Sequence, residues 1–136
     1  MKLVRVQYLT VLDVLAVHTA VLIEGEDPGV LKPGELDGAI MAVQATFAGA
    51  PLLGSLAEVA AAYVFYLNRS DVFLDGNKRT SLFSALSFLE ANGFVLDVPA
   101  TGWLALVTGV VRHDVSQGEL VQAFAEAMGT PEEIEW

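Results

Sequence analysis

The chain has 136 residues, only seven of them Lys or Arg against 17 Asp and Glu, for a formal net charge of −10 with 54% hydrophobic and 18% charged residues. That hydrophobic share argues against disorder and for a buried core, while the negative charge sets the chain against nucleic-acid backbones and anionic lipid as direct partners. The longest apolar run, residues 59–67, falls far short of the roughly 20 residues of a membrane helix, residues 1–10 lack a signal-peptide core, and the absence of Cys leaves no disulfide or thiolate chemistry, so a cytoplasmic protein is expected.

In chain order, residues 2–8 alternate with Val4, Val6 and Tyr8 on one side, a strand-like period. Thr10 then reads as an N-cap with Asp13 closing a capping box, and Val11, Val14, Leu15, His18 and Leu22 carry a first helix over about residues 11–24. Residues 25–34, rich in Gly, Pro and acids, form a loop, after which Leu36, Ala39, Ile40, Val43 and Phe47 predict a helix over 35–47. Residues 48–54 read as a second loop. Ser55 with Glu58 caps a helix to about Asn68 that is apolar all round, the signature of the buried centre of a bundle. A helix over 77–91 follows, stopped by Asn92-Gly93. Residues 94–98 are short and extended, and helices over about 101–111 and 116–128 precede an acidic tail at 129–136. With no repeat and no linker, the expectation is a single all-α domain over 1–136: about six helices, a core at about 8–128 and the short tail.

The densest cluster of charge is Asp71-Val72-Phe73-Leu74-Asp75-Gly76-Asn77-Lys78-Arg79-Thr80, between the most apolar helix and the next one. Arg69, Lys78 and Arg79 fall within eleven residues, although the whole chain has only seven basic residues. A Gly followed by Asn, Lys and Arg at the start of a helix is how a chain builds an anion site, because the first N–H groups lack intrahelical partners and sit at the positive end of the dipole. Helical geometry puts Arg79 on the stripe of Leu82, Phe83 and Leu86, so it points along the buried side and requires an anionic partner; the planar guanidinium suits phosphate. Gly76 serves either a close approach to a ligand or a plain turn. Asn77 serves phosphate contact or capping, and Asp75 either holds Mg²⁺ or favours the helix dipole. Lys78 either neutralises phosphate or lies in solvent, and Phe73 anchors the loop in the core. Taken together at this spacing, these residues favour an anion site.

The stretch resembles the signature of the Fic/Doc family, which in the Doc branch reads His-x-Phe-x-Asp-Gly-Asn-Lys-Arg-Thr; Phe73, Asp75, Gly76, Asn77, Lys78, Arg79 and Thr80 match. Tyr8-Leu9-Thr10, Pro28-Gly29, Gln44-Ala45-Thr46-Phe47 and residues 85–93 also look like Doc, so the likeness spans roughly 8–128. What the resemblance implies is a compact helical toxin, neutralised by a cognate antitoxin helix lying in a groove, that transfers phosphate from ATP to a hydroxyl on a translation elongation factor. Fic relatives transfer AMP instead, and Lys78, where they carry a second Gly, favours the Doc chemistry. By the same likeness Asp75 would hold Mg²⁺, and Gly76, Asn77, Lys78 and Arg79 would hold ATP. The catalytic set would be Asp71, Asp75 and Arg79, with Asp71 in the place of the family's His, the base that activates the hydroxyl. An Asp base is not foreign to phosphoryl transfer, since protein kinases use one, but it reaches less far than imidazole and adds negative charge beside Asp75. The expectation is an activity lost or weakened, with two alternatives: a non-catalytic module that binds nucleotide or antitoxin, and AMP transfer of Fic type. His18 and His113 lie outside the motif. His18 reads as a packed residue on the apolar side of the first helix and His113 as a loop residue.

Overall fold

The segment without a polar face forms α3 (Leu56–Asn68) in the computed structural model of the chain, which describes residues 4–69, 71–96, 99–129 and 134–135. Nine of its residues are buried, because neighbours surround it: α2 (Pro33–Val43), α4 (Asn77–Ala91), α5 (Ala100–Val111) and α6 (Gln117–Met128) all pack against it, and α1 (Val11–Val21) packs on α4 and α2. The all-α expectation is met, with six helices among the described residues. Aromatic contacts join the layers. Tyr63 of α3 meets Phe88 of α4 with ring centroids 5.4 Å apart, and Trp103 of α5 stacks on Phe124 of α6 at 4.8 Å.

The capping boxes do what their sequence suggests. Thr10 Oγ1 accepts from the Asp13 N–H while Asp13 accepts from the Thr10 N–H. Ser55 accepts from the Glu58 N–H, and Ser116 forms a full box with Glu119. Two helices end earlier than their periodicity predicts. Helix α1 stops at Val21 rather than Glu24, since Leu22 turns extended with ψ 142° and Gly25 takes φ +88°. Helix α2 begins at Pro33, where a missing N–H costs nothing, and stops at Val43 rather than Phe47. The apolar spacing that runs on past Val43 belongs to a hairpin, β2 (Thr46–Phe47) paired antiparallel with β3 (Ala50–Pro51) around Ala48 and Gly49, both at positive φ.

The strand-like start is in part a strand: β1 (Val4–Arg5) pairs parallel with β4 (Ile134–Glu135). Residues 97–98 of the extended stretch and 130–133 and 136 of the acidic tail lie outside the described residues. The N-terminal segment is further tied down by side chains. Asn92 Oδ1 accepts from the Gln7 N–H at 2.8 Å and its Nδ2 donates to the Gln7 carbonyl at 3.0 Å, while the Leu9 N–H donates to the hydroxyl of fully buried Tyr63 at 2.9 Å.

Burial pushes the Tyr63 hydroxyl up to about 12 from an ordinary 10.0. The folded state therefore keeps this proton where the unfolded state loses it, so the contribution is complete below pH 10.0 and is lost as the pH rises toward about 12, a decline on the order of 3 kcal/mol. Tyr63→Phe leaves the Leu9 N–H buried without an acceptor. Urea unfolding is expected to show a loss of about 1–3 kcal/mol at neutral pH and a flatter alkaline limb than that of the unaltered protein.

Candidate functional site

The loop between α3 and α4 is built from both ends. Asn68, the last residue of α3, donates from Nδ2 to the Val64 carbonyl at 2.8 Å and to Ser81 Oγ at 2.6 Å, and Ser81 Oγ donates to the Lys78 carbonyl at 2.8 Å. The end of one helix is thereby pinned to the first turns of the next. Val72 and Phe73 are buried and plug the loop into the core. Asn77 spans the turn from inside: its Oδ1 accepts from the Phe73 N–H at 3.0 Å and its Nδ2 donates to the Phe73 carbonyl at 2.8 Å. With its amide oxygen and one amide N–H engaged in this way, Asn77 has its backbone N–H and the second amide N–H to offer an anion.

The α1–α2 connection straps the loop from outside. Val30 forms an antiparallel bridge with Phe73, the Leu31 and Lys32 N–H groups donate to the Val72 carbonyl at 2.8 and 3.1 Å, and the Leu74 N–H donates to the Gly29 carbonyl at 3.0 Å. The Asp27 N–H donates to Asp75 Oδ2 at 2.8 Å, which orients that carboxylate. From α1, the imidazole of His18 stacks on Phe73 and bonds through Nε2 to the Asp75 carbonyl at 2.7 Å.

Gly76 caps α4 in the left-handed region, at φ 81° and ψ 17°, with no side chain to bond the helix N–H groups. The first intrahelical bond runs from the Thr80 N–H to the Gly76 carbonyl at 2.9 Å. The N–H groups of Asn77, Lys78 and Arg79 precede it, at the positive end of a 15-residue helix. A cleft of about 420 Å³ opens at this point, lined by Asp71, Leu74 and the run from Asp75 to Arg79, with Asn68 and Val111 from the neighbouring helices. All six residues assigned from the sequence, Asp71, Asp75, Gly76, Asn77, Lys78 and Arg79, meet there, with Asp71 and Lys78 exposed and the other four half-buried. Arg69 stands apart in an adjoining cleft, its guanidinium 4.8 Å over the Tyr66 ring.

The anion beside Arg79 was not legible in the sequence. Arg79 points along the buried side as its place on the helix predicts, but its partner belongs to the chain itself: Nη2 pairs with Glu26 Oε2, and Nη1 donates to the Val21 carbonyl at 2.6 Å. The bond to Arg79, and after it the Ile23 N–H on Oε1, hold the Glu26 carboxyl below its ordinary range, and the same contact raises Arg79. The carbonyl taken by Arg79 belongs to the last residue of α1, one of those that a helix end leaves without an intrahelical partner. His113, at φ +66° beyond the end of α5, is an exposed turn residue.

The donors that line the cleft fit a polyphosphate: three leading N–H groups, the Lys78 ammonium and the N–H groups of Arg79 that Glu26 and Val21 leave open. Among the described residues no three of His, Asp and Glu converge as a metal cage. A lone carboxylate such as Asp75 fits Mg²⁺ in the way that ion is held, by one or two carboxylates together with phosphate oxygens and water. No described helix is long and apolar enough to cross a membrane.

Residues 8–89 match the family described as Fic/DOC. The chain is 34% identical over 122 residues to "Protein kinase doc" of Escherichia phage P1, an alignment covering 88% of this chain and 94% of that protein. It is 37% identical over 90 residues to "Toxin Doc" of Mycolicibacterium smegmatis, covering 66% of this chain and 68% of the relative.

Glu26→Gln keeps the shape of the Arg79 partner but cannot ionise. The stabilisation from ionised Glu26 is present above its ordinary value of 4.5 and is lost as the pH falls through the lowered folded value. In urea midpoints followed from about pH 6 down to about pH 2.5, the Gln variant is expected to show a shallower acid decline than the unaltered chain; superimposable curves would mean that the pair contributes nothing to folding.

Proposed function

We propose a Doc-type activity for this chain, which belongs to the Fic/DOC family: a toxin that moves a phosphate group from ATP to a hydroxyl of a protein, of the translation elongation factor class, in the cytoplasm and under the control of a cognate antitoxin helix. The observation that carries this reading is the convergence in one cleft of Asp71, Asp75, Lys78, Arg79 and the uncapped start of α4. The name of the phage P1 relative, a protein kinase, points the same way. So does Lys78, at the position where the Doc and Fic signatures differ.

In this reading the N–H groups of residues 77–79 and the Lys78 ammonium hold phosphate oxygens and take up negative charge as it develops, which is the larger part of catalysis in phosphoryl transfer. Asp75, its carboxylate oriented by the Asp27 N–H, binds the magnesium. Asp71, exposed at the cleft, takes the proton of the attacking hydroxyl. When bound, Mg²⁺–ATP supplies the activated phosphoryl group. Arg79 is held between Val21 and Glu26, so it acts as a fixed wall of the cleft and reaches a phosphate only through N–H groups those two leave open.

Asp71 also favours a second reading, a module that binds nucleotide or antitoxin without turnover, because it stands where the family signature carries its His base. ATP labelled at the γ-phosphate, Mg²⁺ and a cell lysate separate the two. The unaltered chain is expected to label a protein band slowly, and Asp71→His to raise the rate by about 10²- to 10⁴-fold, the usual contribution of a competent base. Adding Lys78→Ala to that variant should remove most of the gain. Silence even from Asp71→His supports the binding module, and transfer of an α-phosphate label instead would establish AMP transfer.

A further inference from the structure

His18 is 2% exposed, lies 57 positions before Asp75 and takes no part in the chemistry above, yet it touches the loop twice. Its ring stacks on Phe73 with centroids 3.8 Å apart and planes at 14°, and its Nε2 lies 2.7 Å from the Asp75 carbonyl oxygen. A carbonyl oxygen only accepts, so Nε2 carries the proton and donates.

The consequence follows from peptide geometry. In a trans peptide the C=O and the N–H point in opposite directions, and no peptide bond of the described chain is cis. With the Asp75 carbonyl drawn back onto His18, the Gly76 N–H points away from that ring. Gly76 in the left-handed region followed by helical Asn77 then aligns successive N–H groups into a concavity of the kind that binds anions. Glycine is also what makes this arrangement vulnerable, because a residue without Cβ lets the preceding peptide flip at little cost. A side chain at Gly76 would be strained by the φ of +81°, and its β-carbon would lie 3.3 Å from Leu22 Cδ2, a tight contact, and 3.7 Å from His18 Cδ2, an ordinary one.

We propose that His18 is a positioning residue of the cleft: its Nε2–H locks the Asp75–Gly76 peptide against flipping, so that the Gly76 N–H joins those of α4 in holding an anion. The proposal rests on the anion-site reading given above and adds a residue to it. Stacking against Phe73 and donation to Asp75 are separable tasks. Phe in place of His keeps an aromatic face and loses the donor. Gln loses the face and keeps an amide N–H at about the reach of Nε2.

Calorimetric titration with Mg²⁺–ATP, run with thermal melting on the unaltered protein, His18→Phe, His18→Gln and Lys78→Ala, separates positioning from mere packing. The expected affinities fall about tenfold in His18→Phe and stay closer to those of the unaltered protein in His18→Gln, while melting temperatures rank in the opposite order, Phe above Gln. If His18→Phe binds as well as the unaltered protein, or if affinity and melting temperature fall together in the same order, the proposal is overturned while the anion-site reading stands on Lys78→Ala. Absence of binding by the unaltered protein overturns both. Should His18→Phe fail to fold, nitrogen chemical shifts of the His18 ring decide: a proton on Nε2 that persists on adding Mg²⁺–ATP is the expected result, and a bare Nε2 with the proton on Nδ1 rules the lock out.

Discussion

Face-to-face stacking of His18 on Phe73, with the same imidazole bonded to the Asp75 carbonyl, ties the rear of the loop to a helix more than fifty residues away in sequence. Much of the cleft depends on that tie and on the strap at residues 27–32. Phe73 could not stay buried if α1 withdrew, and a displaced Phe73 would take its backbone N–H and carbonyl away from the Asn77 amide. The cleft proposed to hold an anion is thus the front of a packed assembly. Its precision comes from three elements, α1, the strap and α4, closing on the turn between α3 and α4, whose own sequence leaves Gly76 free to move.

Charge is handled just as locally. A chain at −10 presents a field unfavourable to ATP, and the uncapped start of α4 with Lys78 offsets it only within the reach of one helix end. Arg79 is already matched by Glu26 and contributes little net positive charge to the cleft. Its guanidinium also closes off the last carbonyl of α1, so the motif arginine serves the architecture of the site whatever it does for a ligand. Asp71 and Asp75 share the cleft with the groups proposed to hold phosphate, and the proposed magnesium would make two carboxylates and a polyphosphate compatible there.

Helix positions and the buried centre were legible because both are local or periodic. Thr10, Ser55 and the all-apolar run of α3 announce themselves within a few residues, and the matching motif from Phe73 to Thr80 names the family that the match over residues 8–89 bears out. Most of the misses depend on partners distant in sequence, the hairpin after α2 being the local exception. Helical spacing runs on through Leu22 and Phe47, but the chain leaves α1 where Arg79 captures the Val21 carbonyl and leaves α2 for a hairpin closed by Ala48 and Gly49. Glu26 looked like one more acid in a polar loop, and His18 like a packed histidine. Packed it is, but nothing local to residue 18 could reveal that its second nitrogen meets the carbonyl of Asp75. The pairing of β1 with β4 joins the two ends of the described chain and had no local signal on the C-terminal side.

The central claim is that an anion is held by the backbone at the head of α4. Backbone amide shifts during titration with Mg²⁺ and inorganic pyrophosphate test this without requiring turnover, a target protein or any substitution. The account predicts that the largest and earliest changes fall on the N–H groups of Gly76, Asn77, Lys78 and Arg79, with α6 and the hairpin at Ala48 and Gly49 unmoved. Saturable changes centred elsewhere, or none at these four residues, would contradict it.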